Sequence, residues 1–177
     1  MCPHKLTLRY ESPAEAGGDK PLVQKQNSKR TNCPMSTPVK ILAQSADDIP
    51  VVSALLQDMT VRIGDIAWLQ NEQRFAVIGN RFHWEKKRLF RRPKGERIRS
   101  AFHFDGVISV KLYQIDLQDE KTVLNLLDIE VVEHETGNTV TLNFAGGAGV
   151  RLEVDAVDML VTDLGASWQA IERPDHH

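Results

Sequence analysis

Two histidines, each two residues ahead of a carboxylate, are the side chains in this sequence best spaced for chemistry: His83 with Glu85, and His103 with Asp105. On strands, side chains two apart share a face. If the two strands lay side by side, two imidazoles and two carboxylates could surround a divalent metal. No short motif such as H-x-H or H-E-x-x-H fixes that arrangement, and half-exposed strand histidines are ordinary. His83 and His103 therefore stand as weak candidates, and no metal or cofactor is expected. Nucleophilic chemistry has less to work with. Cys2 and Cys33 both precede the folded part, and Ser45, Ser53, Ser100, Ser109 and Ser167 lack the strand–turn–helix elbow of G-x-S-x-G. Acidic pairs such as Asp128/Glu130 and Asp155/Asp158 read as solvated faces, since only burial raises a carboxyl pKa enough for acid–base work. No catalytic residue is assigned.

Gly146-Gly147-Ala148-Gly149 invites a phosphate-binding reading. That chemistry needs a glycine turn that opens a helix, whose free N–H groups face the anion. Here the glycines lead into the alternating run Val150–Val154, so a hairpin turn or bulge is expected instead.

Charge layout is the unusual feature. Residues 81–99 carry nine basic and two acidic side chains, net +7, whereas residues 100–177 carry four basic and fourteen acidic, net −10. The candidate binding residues are Lys86, Lys87, Arg88, Arg91, Arg92, Lys94, Arg97 and Arg99, in a run that also contains Phe82, Trp84, Leu89 and Phe90. Such a stretch can track a phosphate backbone while rings stack on bases. Its plain alternative is a solvated loop complementing the acidic half of the same or a neighbouring molecule.

Those residues must be held by a scaffold, and 177 residues suffice for one domain with a core that needs no staples. No apolar run approaches the ~20 residues of a membrane helix. Residues 1–38 are rich in Pro and Gly, poor in large apolar side chains, and without period, so they are expected to be a disordered extension. They lack the apolar core of a signal peptide, and Met35-Ser36-Thr37-Pro38 reads as a natural start. Deleting residues 1–34 is expected to leave the thermal unfolding midpoint unchanged, as melting both chains would check. The single domain is placed at 39–174, with 175–177 a frayed end. A folded part without cysteine fits a reducing, cytoplasmic setting.

Within that domain Val39–Ala43 reads as a strand. Asp47-Asp48 offers an N-cap and Pro50 a first-turn residue, and Ile49, Val52, Leu55 and Leu56 recur at helical spacing, so a helix is expected from Asp48 to about Gln57. The period then changes to two. Strands are expected at Met59–Ile63, Ile66–Leu69, Arg74–Asn80, Arg97–Phe104, Val107–Ile115, Val123–Glu133, Thr139–Phe144 and Val150–Val154. Gly64-Asp65, Asn71-Glu72, Asp105-Gly106, Gln118-Asp119 and Gly137-Asn138 supply turns between them. Ala156–Leu164 reads as either a short C-terminal helix or a last strand. Tight turns imply antiparallel meanders. The fold class is therefore α+β, a mostly antiparallel sheet or partly closed roll of about seven or eight strands with one N-terminal helix.

Four segments carry a resemblance: Phe75-Ala76-Val77-Ile78-Gly79-Asn80-Arg81-Phe82-His83-Trp84-Glu85, Phe104-Asp105-Gly106-Val107-Ile108-Ser109-Val110, Phe144 through Val154, and Thr162-Asp163-Leu164-Gly165-Ala166-Ser167-Trp168. In their order and spacing the chain resembles the DUF2948 family, bacterial domains of unknown function, from about Val39 to Pro174. The resemblance implies a bacterial, cytoplasmic protein and transfers no catalytic or binding residues. The expectation is a non-catalytic binding or interaction module. An anion or nucleic-acid binder working through the basic loop 86–99 is the alternative, and an enzyme of unfamiliar type using a His/carboxylate site is the second. An acidic protein surface is the other partner the loop would suit. Self-association through Trp84 or Trp168 is a further expectation, because Trp anchors interfaces; Trp68 is expected in the core.

Overall fold

The computed structural model describes residues 38–83, 96–165 and 168–169. Its strands are β1 (Lys40–Ala43), β2 (Thr60–Leu69), β3 (Arg74–Phe82), β4 (Glu96–Phe104), β5 (Val107–Tyr113), β6 (Val123–His134), β7 (Gly137–Phe144), β8 (Gly149–Val154), β9 (Met159–Asp163) and the two-residue β10 (Trp168–Gln169). One helix, α1 (Ile49–Leu56), follows β1. The fold is α+β, and every strand pairing is antiparallel, in the order β1-β9-β4-β3-β2-β6-β7-β8-β5, with β10 also on β4.

The helix forms where its signals stand. The Asp48 carboxylate accepts hydrogen bonds from the Gln44 and Ser45 backbone N–H groups and from the Ser45 hydroxyl, at 3.0, 3.1 and 2.8 Å. Those bonds, the Ser45 hydroxyl first, hold its pKa below the usual value against a small opposing effect of burial. Pro50 sits in the first turn, where its missing N–H leaves nothing unsatisfied. Ile49, Val52 and Leu56 are buried, and Ser53 Oγ accepts the Ile129 N–H at 2.8 Å, tying α1 to β6.

More strands form than the seven or eight expected, one reading changes, and one open alternative is decided. Met59–Ile63 and Ile66–Leu69 are not two strands around a turn. They are the single strand β2, with a bulge between Val61 and Ile66 in its pairing with β3. At the bulge the chain leaves β3, and Ile63 N–H and Gly64 N–H donate to Thr122 O and Glu120 O instead, at 3.0 and 3.1 Å. The segment after Val157 is strand β9 and not a helix. Met159, Val161 and Asp163 point into the core while Leu160 and Thr162 are half-buried on the other face, a period of two that a helix cannot use.

Two meanders form as expected, β2-β3-β4 and β6-β7-β8. Ala145–Gly147 turns β7 into β8 with Gly146 and Gly147 at φ 81° and 83°, a left-handed backbone that favours glycine. Asp105-Gly106 is not a hairpin, however. It links β4, third in the sheet order, to β5, ninth. Six strand spacings would cover ~29 Å in a flat sheet, whereas three residue steps reach ~10 Å. The sheet must curl into two layers, and the link crosses between them. Three backbone bonds fix it: Asp105 N to Asp158 O, Val107 N to Gln73 O and Asp155 N to Gly106 O.

The inner faces close on one core that includes Phe75, Phe102, Phe104, Leu126, Leu142 and Met159. Phe102 and Phe104 meet edge to face, centroids 6.2 Å apart at 86°. Trp68 packs half-buried against it, as expected. Trp84 and residues 1–37 lie outside the described residues, as does the side chain of Trp168.

Candidate functional site

The outer face of the β4-β3-β2 layer carries the exposed side chains of Arg62 and Arg99. Opposed residues on neighbouring strands point the same way. Arg99 pairs with Asn80, Asn80 with Thr60, and Thr60 with Asn125, so one polar rung crosses β4, β3, β2 and β6. Arg62, opposite Val123, lies beside it. The β2 bulge parts β2 from β3 there, and a pocket of about 300 Å³ opens, lined by Thr60, Arg62, Asp65, Gly79, Asn80, Arg99 and Val123. Arg62 and Arg99 are exposed. Among the described residues neither guanidinium forms an ion pair, whereas Arg74 and Arg81 both do. Two such guanidiniums, a hydroxyl and an amide against one carboxylate leave a donor-rich concavity of net positive charge, which suits an oxyanion.

Of the sequence-derived candidates, Lys86, Lys87, Arg88, Arg91, Arg92 and Lys94 lie outside the described residues. Arg97 and Arg99 belong to β4 rather than to a loop. Arg97 is engaged by the fold: its Nη1 donates to Asp58 O at 3.0 Å and Asn80 O at 2.9 Å, and its guanidinium lies 5.9 Å from the centre of the Phe82 ring. Burial pulls its pKa down, with the Asp58 carboxylate opposing. Arg99 alone of the two faces the pocket. Arg62 was not among the candidates, although its place between Val61 and Ile63 in an alternating strand marks it as outward-facing.

Arg81, the first of the nine basic side chains in residues 81–99, does not lie on the surface. It is fully buried, at 0% exposure, and its Nε and Nη2 each donate to the Asp163 carboxylate at 2.9 Å. Ser100 Oγ and the Val39 N–H donate to the same carboxylate at 2.6 and 2.9 Å. Burial alone would raise the Asp163 pKa, but the bonds from Arg81, Ser100 and Val39 outweigh it and hold the carboxyl below its usual range.

The two histidines are not brought together. β3 and β4 are neighbours, yet His83 N–H bonds Glu96 O at one end of β4 and His103 sits seven residues further along, ~23 Å at the usual strand rise. His83 Nδ1 lies 3.9 Å from Glu96 Oε2 and His103 Nε2 3.5 Å from Asp105 Oδ2. Asp105 is held chiefly by Arg74, whose Nε and Nη2 donate at 2.6 and 3.2 Å and keep the carboxyl pKa low against a smaller effect of burial. Glu85 lies outside the described residues.

A curled antiparallel sheet with one helix and a basic pocket on its outer face defines a small α+β protein. The chain belongs to the family described as protein of unknown function (DUF2948), whose model matches residues 39–176. Neither a curated protein nor a solved structure matches it. No helix among the described residues is long and apolar enough to cross a membrane.

Proposed function

We propose that this chain is a non-catalytic cytoplasmic binding module whose partner is a nucleic-acid strand, held through backbone phosphates. The observation that carries the reading is the pair of exposed guanidiniums, Arg62 and Arg99, that share one polar pocket and form no ion pair among the described residues. Position supports it as well. Asn80 is two residues from the end of β3 and Arg99 three from the start of β4, so the pocket adjoins the two points between which Lys86, Lys87, Arg88, Arg91, Arg92 and Lys94 occur in the sequence. A surface of this kind binds weakly, tolerates sequence and depends steeply on salt.

Fluorescence anisotropy of a labelled single-stranded oligonucleotide against the full chain, from low to moderate salt, tests this. Binding is expected at low salt. Replacing Arg88, Arg91 and Arg92 together by Glu should weaken it and reduce the log–log salt slope by about 2, at ~0.7 for each phosphate no longer neutralised. The triple variant should melt with the wild type. No wild-type binding at low salt would exclude a nucleic-acid partner and leave an acidic protein surface as the ligand of the basic segment.

A further inference from the structure

We propose that the pocket between β2, β3 and β6 is a seat for one phosphomonoester on a small hydroxylated carrier, gripped by Arg62 and Arg99. The inference rests on the reading of this surface as phosphate-binding and goes beyond it by assigning the pocket an occupant of its own. Three features define the ligand. Arg62 and Arg99 stand on different strands with Asn80 and Thr60 of the same rung between them. Guanidinium and amide donors supplied by three strands match a tetrahedral dianion better than a planar carboxylate, which a single bidentate arginine satisfies; the Thr60 hydroxyl beside them donates to Asn80 O at 3.5 Å, a long bond that a phosphate oxygen can replace.

The volume, about 300 Å³, is at the lower limit for small-molecule sites and admits a phosphate with one sugar ring. Asp65 also lines the pocket. A carboxylate there repels a bare anion but accepts a hydrogen bond from a carrier hydroxyl, so it selects for a phosphate that brings such a hydroxyl with it. The bulge in β2 makes this possible, because the residues between Val61 and Ile66 leave the β3 ladder there, with Arg62 opposite Val123 and the Gly64 N–H bonded to Glu120 O, and Asp65 lines the pocket so opened.

The phosphomonoester has two sources, a free sugar or nucleoside monophosphate or the terminal phosphate of a strand, and the test separates them. Backbone NMR shifts of the full chain are followed on titration with inorganic phosphate, with ribose 5-phosphate, and with a short oligonucleotide bearing either a 5′-phosphate or a 5′-hydroxyl. Saturable shifts are expected at Thr60, Arg62, Asn80 and Arg99 with both small probes, ribose 5-phosphate binding the tighter. R62A and R99A should each weaken that binding about tenfold or more, as removal of a charge-assisted hydrogen bond does. D65N should tighten inorganic phosphate and narrow the preference for ribose 5-phosphate. A 5′-phosphate that strengthens oligonucleotide binding through these same residues assigns the strand end as a source; equal binding of the two oligonucleotides assigns the free monophosphate.

No saturable shift at these residues up to ~10 mM, or shifts that survive both arginine substitutions, would overturn the seat. Oligonucleotide binding that persists in R62A and R99A while the small probes fail would overturn this inference alone. Small-probe binding without any oligonucleotide binding would overturn the nucleic-acid reading and leave the seat standing.

Discussion

Asp163→Ala is expected to cost about 3–5 kcal/mol of folding stability, because it takes the Asp163 carboxylate and its two hydrogen bonds away from a guanidinium that stays charged and buried. The pair is wholly inside, at 0% and 1% side-chain exposure, so water cannot replace the missing bonds. Arg81→Ala should cost as much by stranding the carboxylate. Replacing both at once, Arg81→Met with Asp163→Leu, should recover part of the loss, since apolar side chains do not incur the desolvation of two ions; the remainder persists because Ser100 Oγ and the Val39 N–H lose the acceptor they share. Urea unfolding of the two single variants and the double checks this; a double variant no better than the singles would show that the network matters for geometry rather than charge.

The same carboxyl sets a pH dependence. Its folded pKa is lowered, so the stability it contributes is fully present above the unfolded carboxyl value of ~3.9 and is lost as pH falls through the lower folded value. The gap in stability between wild type and Asp163→Asn should therefore narrow below about pH 4.

Gly79→Ala is expected to destabilise by about 1–3 kcal/mol, the usual range for overpacking. A methyl group at Gly79 would lie 2.6 Å from Thr60 O and 2.7 Å from Met59 Cε. The methionine tip can move, but the carbonyl belongs to β2 on the near side of its bulge and cannot. Relief would require β2 and β3 to separate, so the variant should also alter the pocket that Thr60, Asn80 and Arg99 line. Thermal unfolding gives the stability, and backbone shifts at those three residues report the displacement. An unchanged melting temperature would mean that the two strands are less tightly set than the 2.6 Å approach implies.

The parts legible in the sequence are those whose cause is local. The helix declared itself through Asp48, Pro50 and the spacing of Ile49, Val52 and Leu56; the β7–β8 hairpin did so through clean alternation around Gly146-Gly147. Gly64-Asp65 and Asp105-Gly106 misled for one reason. A glycine beside an aspartate marks a change of backbone direction, but a bulge, a hairpin and a crossing between layers use the same residues, and the choice among them is made by distant partners. The buried pair was half legible. Arg81 falls in phase with Phe75, Val77 and Gly79, and Asp163 in phase with Met159 and Val161, so each apolar face carried one charge of opposite sign. Counting Arg81 only as one charge of the basic run 81–99 passed over that phase. Arg62 and Arg99 line one pocket only through the pairing of β2 and β4 with β3, a fact of register that no local pattern encodes.

The pairing of the first strand with β9 has a consequence for biosynthesis. Val39 and Asp163 are 124 residues apart in the chain yet joined by Val39 N–H to Asp163 Oδ2 at 2.9 Å and Asp163 N–H to Val39 O at 2.9 Å. At translation rates of roughly 5–20 residues per second, about 6–25 s pass between their syntheses. During that interval the nascent β1 lacks the strand it pairs with, and Arg81, once made, lacks the Asp163 carboxylate. Closure of this end of the core is therefore a late event, gated by emergence of the C-terminal strands from the ribosome. Until then the unpaired edges of β1 and β4 are the surfaces that a holding chaperone would have to shield.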